Sequence, residues 1–175
     1  IVERAGEFRV ILTLRAQHLN AHAGQVAFPG GKRDPSDKTL ADVALREAEE
    51  EIGLPRAMVR LLGAIDGHET GTGFAIPPVV GPVDPGFHAR PDPSEVAEVF
   101  GPPLSFLMDP ANRKRETREW KGAARHFYAI PWEGRYIWGA TARMLVGLAL
   151  RLDAVRALQP GAGLEDALRP RTGLR

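Results

Sequence analysis

A chain of 175 residues is long enough to bury a real hydrophobic core and short enough to read as one domain over 1–175. Its 43% hydrophobic and 26% charged residues are ordinary for a globular protein, and a net charge of +1 gives no reason to expect a nucleic acid or a membrane as partner. The absence of cysteine excludes a disulfide framework and thiol chemistry and fits a reducing, cytoplasmic setting, while no apolar run is long enough to span a bilayer.

The chain opens at Ile1, close to a strand and without a methionine, so its N-terminus is expected to be incomplete. Residues 8–14 are dense in β-formers and apolar on both faces, which predicts a central strand. A polar loop covers 17–24, and 25–28 reads as a short strand that delivers the glycine pair Gly30 and Gly31. His18 and His22 have i, i+4 spacing, but they fall in a loop, so no metal is assigned to them.

The chemistry gathers after that pair. Thr39 and Asp42 offer a capping-box-like helix start, Gly53 a stop, and Pro55 prevents resumption. On this helix Glu47, Glu50 and Glu51 stand at i, i+3 and i+4 and share one face. Three carboxylates this close repel one another at neutral pH, and a hard divalent cation, Mg²⁺ or Mn²⁺, would turn the repulsion into ligation. Arg46, four residues before Glu50 and about 40° round the helix, can orient that carboxylate. A solvated acidic face would also spell E-x-x-E-E. The upstream glycines and the R-E-x-x-E-E-x-G register favour the metal.

Beyond it, 60–65 suggests a strand, 68–73 a glycine-rich turn, and 74–81 a strand interrupted by Pro77 and Pro78, hence an edge or a bulge. A loop rich in Pro, Gly and Asp fills 82–93. Residues 95–100 alternate in period two, and Glu98 could face the cleft as a further carboxylate or simply be an exposed strand residue. A short helical turn is expected at 102–110 and a charged hairpin at 112–119, whose Arg113, Lys114 and Arg115 either meet an anionic substrate or form a solvated face. After a strand at 126–130, residues 136–138 lead into a last helix over 139–158. There Ala142, Leu145, Val146, Ala149, Leu152 and Val155 repeat at core-packing spacing. The tail after 159 is expected to be loosely held.

The segment from Gly31 to Leu54 resembles the Nudix box, G-x5-E-x7-R-E-U-x-E-E-x-G-U with U a bulky aliphatic, through Gly31, Arg46, Glu47, Glu50, Glu51, Gly53 and Leu54. It departs at three points. Asp37 replaces the first Glu, eight residues rather than seven separate it from Arg46, and Ala48 fills the first U position, so Asp37 receives no metal role.

Upstream, Leu12-Thr13-Leu14-Arg15-Ala16 and the run from His22 to Gly31 resemble a narrower motif. It belongs to the coenzyme A pyrophosphatase subgroup and reads roughly L-L-T-x-R-S/A-x3-R-x3-G-E-V-x-F-P-G-G. Asn20 stands where that motif has Arg, and Gln25 where it often has Glu. Thr72-Gly73-Phe74, Pro78-Val79-Val80-Gly81 and the 138–143 stretch also resemble that subgroup. A strand-loop-strand ordered around the metal helix would account for the block equally well, and both readings can hold.

The resemblance implies an α/β fold, the Nudix α/β/α sandwich with a mixed β-sheet. It implies Mg²⁺ or Mn²⁺ held by Glu47, Glu50, Glu51 and the Gly31 carbonyl, with Glu47 and Arg46 in catalytic roles. Glu69 and Glu98 are other candidates for the proton acceptor, and Arg15, Gly30, Gly31, Glu69 and Glu98 are candidates for substrate contact. The implied reaction cleaves the pyrophosphate of coenzyme A to 4′-phosphopantetheine and adenosine 3′,5′-bisphosphate. Hydrolysis of ADP-ribose or an NADH-type dinucleotide is the alternative, and a non-catalytic nucleotide sensor the reading from another class. A small nucleotide is the expected partner, and monomer and homodimer both stay open.

Overall fold

The computed structural model describes residues 1–65, 67–69, 75–120, 122–158 and 168–169. In chain order they form β1 (Val2–Arg4), β2 (Glu7–Arg9), β3 (Leu12–Arg15), β4 (Val26–Ala27), α1 (Leu40–Ile52), β5 (Gly63–Ala64), β6 (His68–Glu69), β7 (Ala75–Ile76), β8 (Val79–Val80), β9 (Val96–Phe100), α2 (Leu104–Met108), β10 (Lys114–Trp120), β11 (Ala123–Trp132), β12 (Arg135–Trp138) and α3 (Gly139–Leu158).

Two three-stranded sheets carry the architecture, one in the order β4-β3-β9 and the other β10-β11-β12. Their ladders are antiparallel, and a parallel bridge between Val2 and Val83 makes the β-structure mixed. Alternation along β3 and β9 splits the interior in two. Leu12, Leu14 and Phe100 face a core shared with Leu104 and Leu107 of α2, Ile130, Ile137, and Ala142 and Leu145 of α3. Ile11 and Val99 face a second core with Ala48 and Ile52 of α1, Leu54, Val83 and Phe87. The strands therefore lie between α1 on one side and α2 with α3 on the other. Leu12 and Ile52 are wholly buried, each worth about 1.5–3 kcal/mol of transfer free energy.

Several expectations are corrected. The strand expected over 8–14 is two strands, because at Val10 the chain leaves β1 and donates to the Pro102 carbonyl (3.0 Å) before β3 pairs with β9. The strand at 126–130 is the middle of the longer β11, and its hairpin with β10 reaches back to Trp120 and Ala123. On α3, Ala142, Leu145, Val146 and Ala149 are buried as the spacing requires, but Val155 is 47% exposed because the last turns leave the core.

The glycine turn over 70–73 lies outside the described residues. So does most of the tail after 159, but Leu168 is buried in the first core, and the Arg60 guanidinium donates to the carbonyls of Leu168 and Arg169 at 3.2 Å. Among the described residues, no helix is long and apolar enough to cross a membrane.

Candidate active site

The α1 helix is built by local chemistry at both ends. The Thr39 hydroxyl accepts from the Asp42 N–H (3.1 Å) while the Asp42 carboxylate accepts from the Thr39 N–H (2.9 Å), a reciprocal capping box. Gly53, at φ 66°, sends its N–H to the Glu49 carbonyl (3.0 Å), and Leu54 donates to the Ala48 carbonyl (3.2 Å). A helix this firmly ended presents its side chains at fixed angles. Ala48 and Ile52 go to the core, and Glu47 and Glu51 go toward the glycine turn.

Arg46 ties that helix to the loop before it. Its guanidinium contacts the Asp37 carboxylate at 3.0 Å, donates to the Lys32 carbonyl at 2.9 Å, and reaches Glu47 at 3.0 Å and Glu50 at 2.9 Å. Asp37 is 5% exposed and also accepts from the Asp34 N–H (2.8 Å), while Arg33 donates to its carbonyl. Asp34 in turn caps Ser36 (2.9 Å to N, 2.7 Å to Oγ), so the extra residue of the loop is absorbed in a self-capped turn over 34–37. The Arg46 guanidinium holds the Asp37 carboxyl below its ordinary range. Asp37 thus serves as the anchor for Arg46.

The carboxylates occupy three different environments. Glu51 is 2% exposed, and burial pushes its carboxyl up to about 7 against the opposing pull of Arg15 and the Gly30 N–H. Its Oε2 is buried and has no hydrogen-bond partner. Glu47 is half-buried and likewise shifted upward by desolvation, and its carboxylate lies directly over Gly31, where a Cβ would come within 2.4 Å of both oxygens. Glu50, at 57% side-chain exposure, leans out on Arg46. Arg15, at the end of β3, places Nη1 3.7 Å from Glu51 Oε1.

The structure therefore brings Arg15, Gly30, Gly31, Glu47 and Glu51 together, with Arg46 bracing them from behind. Among the described residues no three Asp, Glu, His or Cys side chains converge as a finished metal cage, because Glu50 is held aside by Arg46. What is present is a buried, unpartnered carboxylate oxygen beside a second carboxylate and a glycine turn. That all-oxygen donor set suits Mg²⁺ or Mn²⁺, and an unmatched buried carboxylate oxygen is costly unless a cation or proton meets it.

Glu98 does not join this group. It stands opposite Leu14, on the sheet face turned away from α1, and pairs with Arg135, whose guanidinium lies 4.7 Å over the Phe100 ring and 5.3 Å over Trp132. Glu69 lies in β6, its Cα opposite Ala75. Arg113 turns inward to the Met108 carbonyl, a fold contact.

The residue the sequence reading missed is Glu95. After burial, its charge adds a smaller upward push to Glu47 and Glu51, and its carbonyl accepts from the Ala16 N–H (2.8 Å) next to Arg15. Asp92 fixes the approach, donating its N–H to the Glu51 carbonyl (2.9 Å) and capping Ser94 through its carboxylate. The signal was the Asx-turn pattern Asp92-Pro93-Ser94 just before the alternating strand.

The family model described as NUDIX domain matches residues 1–128. A protein of Photorhabdus laumondii described as "Uncharacterized Nudix hydrolase NudL" is 38% identical over 144 residues, covering 82% of this chain and 77% of its own. The NudL of Yersinia enterocolitica is 39% identical over 145 residues, covering 82% and 74%. Among solved structures, the Nudix hydrolase RenU from M. smegmatis superposes with a TM-score of 0.55 at 21% identity, over 89% of this chain and 79% of its own, a likeness of fold. With a glycine turn seated on Glu47 and Arg46 bracing the carboxylate helix, the chain belongs to the Nudix family of hydrolases.

Proposed function

We propose that this Nudix hydrolase is a Mg²⁺- or Mn²⁺-dependent coenzyme A pyrophosphatase, cleaving CoA or a derivative to 4′-phosphopantetheine and adenosine 3′,5′-bisphosphate. The observation that carries the metal-dependent part is the buried Glu51 oxygen without a partner, beside Glu47 and the Gly30-Gly31 turn. Glu47, Glu51 and the Gly31 carbonyl would hold the cation, and Glu50 would join them by leaving Arg46. When bound, such a cation neutralises pyrophosphate charge and lowers the pKa of a coordinated water.

The chain's own residues do the rest. Arg46 fixes the direction in which Glu47 points, and its anchor on Asp37 keeps the glycine turn registered against α1. Glu47, its basicity raised by burial, is the preferred acceptor for the proton of the attacking water. Attack in line with the leaving phosphate then needs mainly positioning and charge stabilisation. The choice of CoA rests on the block from Leu12 to Gly31, which places Arg15 beside Glu51.

Product chromatography with CoA, ADP-ribose and NADH, each with Mg²⁺ or Mn²⁺, tests the assignment. Adenosine 3′,5′-bisphosphate released from CoA in clear preference to the other cleavages supports it. Preference for ADP-ribose or NADH moves the activity to the broader dinucleotide class and leaves the upstream block as scaffold.

A further inference from the structure

Arg15 sits where β3 shifts register against β9. Its N–H donates to the Gln25 carbonyl (3.0 Å) and its own carbonyl accepts from the Gly24 N–H (3.1 Å), so its backbone is clamped and only the side chain can change partner. That side chain crosses to Glu51 but stops at 3.7 Å, outside hydrogen-bond range. Arg15 Nε and Glu51 Oε2 are both buried, and neither has a partner.

Two opposite charges that meet without a hydrogen bond, each leaving a buried polar atom idle, recover little of their desolvation cost. Such a pair is a poor device for stability and a good one for holding places. A dication on Glu51 would satisfy Oε2 and at the same time set a like charge against the guanidinium. A guanidinium pushed off Glu51 presents its Nε and Nη edge as a planar fork, the shape that grips two phosphate oxygens.

We infer that Arg15 is the stand-in cation of the metal-free site and the phosphate clamp of the loaded one. Metal loading releases its fork to a diphosphate, and metal and diphosphate bind with positive coupling. The inference rests on the metal-dependent reading above and is independent of whether CoA is the substrate. The coupling is reciprocal, so a diphosphate must tighten the metal by the same factor.

The test uses the full chain at about pH 8.5, where the carboxylates are ionised, with Mn²⁺ alone and then with methylenediphosphonate, whose bridge cannot be hydrolysed. By calorimetry, wild-type Mn²⁺ affinity should rise about fivefold or more when the diphosphonate is present. Arg15→Met should bind Mn²⁺ more tightly than wild type, because the competing charge is gone, and should lose that enhancement. Arg15→Lys keeps the charge without the fork; it should bind Mn²⁺ like wild type and show only part of the enhancement. The inference is overturned if Arg15→Met binds Mn²⁺ no better, or if either variant keeps the full enhancement. Should Arg15→Met not fold, Arg15→Lys decides alone. Wild type that binds no Mn²⁺ sinks the metal-dependent reading as well; wild type that binds it, with variants indistinguishable, sinks only the role of Arg15.

Discussion

A Cβ on Gly31 would lie 2.4 Å from both carboxylate oxygens of Glu47, so the turn and the helix residue occupy each other's space to the limit. Gly31→Ala should push the carboxylate off its position, and a displacement of about 1 Å at a reacting centre costs on the order of 100-fold in rate. Steady-state kinetics on the preferred substrate, with circular dichroism to confirm folding, checks this. Activity within threefold of wild type would mean that Glu47 need not sit over the turn.

Arg46 braces three carboxylates and a backbone carbonyl at once. Arg46→Ala should lower activity about 10- to 100-fold, as loss of groups that orient metal ligands does, and should also lower the unfolding midpoint, because Asp37 loses the partner that holds its carboxyl low. Asp37→Asn should reproduce the smaller part of that loss. Comparing the two variants by kinetics and thermal melts separates the two effects. Equal kcat for Arg46→Ala and wild type would remove Arg46 from the machinery.

What the sequence made legible was what local chemistry decides. Thr39, Asp42 and Gly53 announce both ends of α1 because capping is settled within four residues, and the spacing from Ala142 to Ala149 marks the buried face of α3. The break at Val10 was hidden because its cause, the Pro102 carbonyl, lies far along the chain. The face of Glu98 stayed open for a related reason. Period-two alternation says that Glu98 and Val99 face opposite ways, but only pairing with β3 says which of them looks at α1. The bond of Asp37 to Arg46 depended on how one extra loop residue folds, which spacing alone does not tell.

The contrast between Glu95 and Glu98 follows directly. Glu95→Gln should cost about 10- to 100-fold in activity or metal affinity, the range for groups that tune a metal site, because its charge acts on Glu47 and Glu51. Glu98→Gln breaks a partly exposed pair with Arg135, which costs about 0–1 kcal/mol of stability, and should leave kcat and KM within threefold. Parallel kinetics and urea denaturation check both. The reverse order of effects would place Glu98, not Glu95, at the chemistry.

Glu51 sets the pH behaviour. Burial raises its carboxyl in the folded chain to about 7, from an ordinary value of 4.5. The folded state therefore holds the proton more tightly than the unfolded one. The resulting stability is fully present below pH 4.5 and is lost as pH rises through about 7. In EDTA, this group makes the protein less stable at pH 8 than at pH 5. Metal binding must displace the same proton, so Mg²⁺ affinity should climb from pH 6 to about 8 with release of a proton, and excess Mg²⁺ should raise the melting temperature more at pH 8 than at pH 6. Glu51→Gln carries no such proton. Its melting temperature in EDTA should lose this dependence on pH, and Mg²⁺ should no longer raise it. Melts across pH with EDTA or Mg²⁺, on wild type and Glu51→Gln, read all of this in one series, and a wild-type response to Mg²⁺ that is flat with pH would show that Glu51 is not the ligand whose proton the metal replaces.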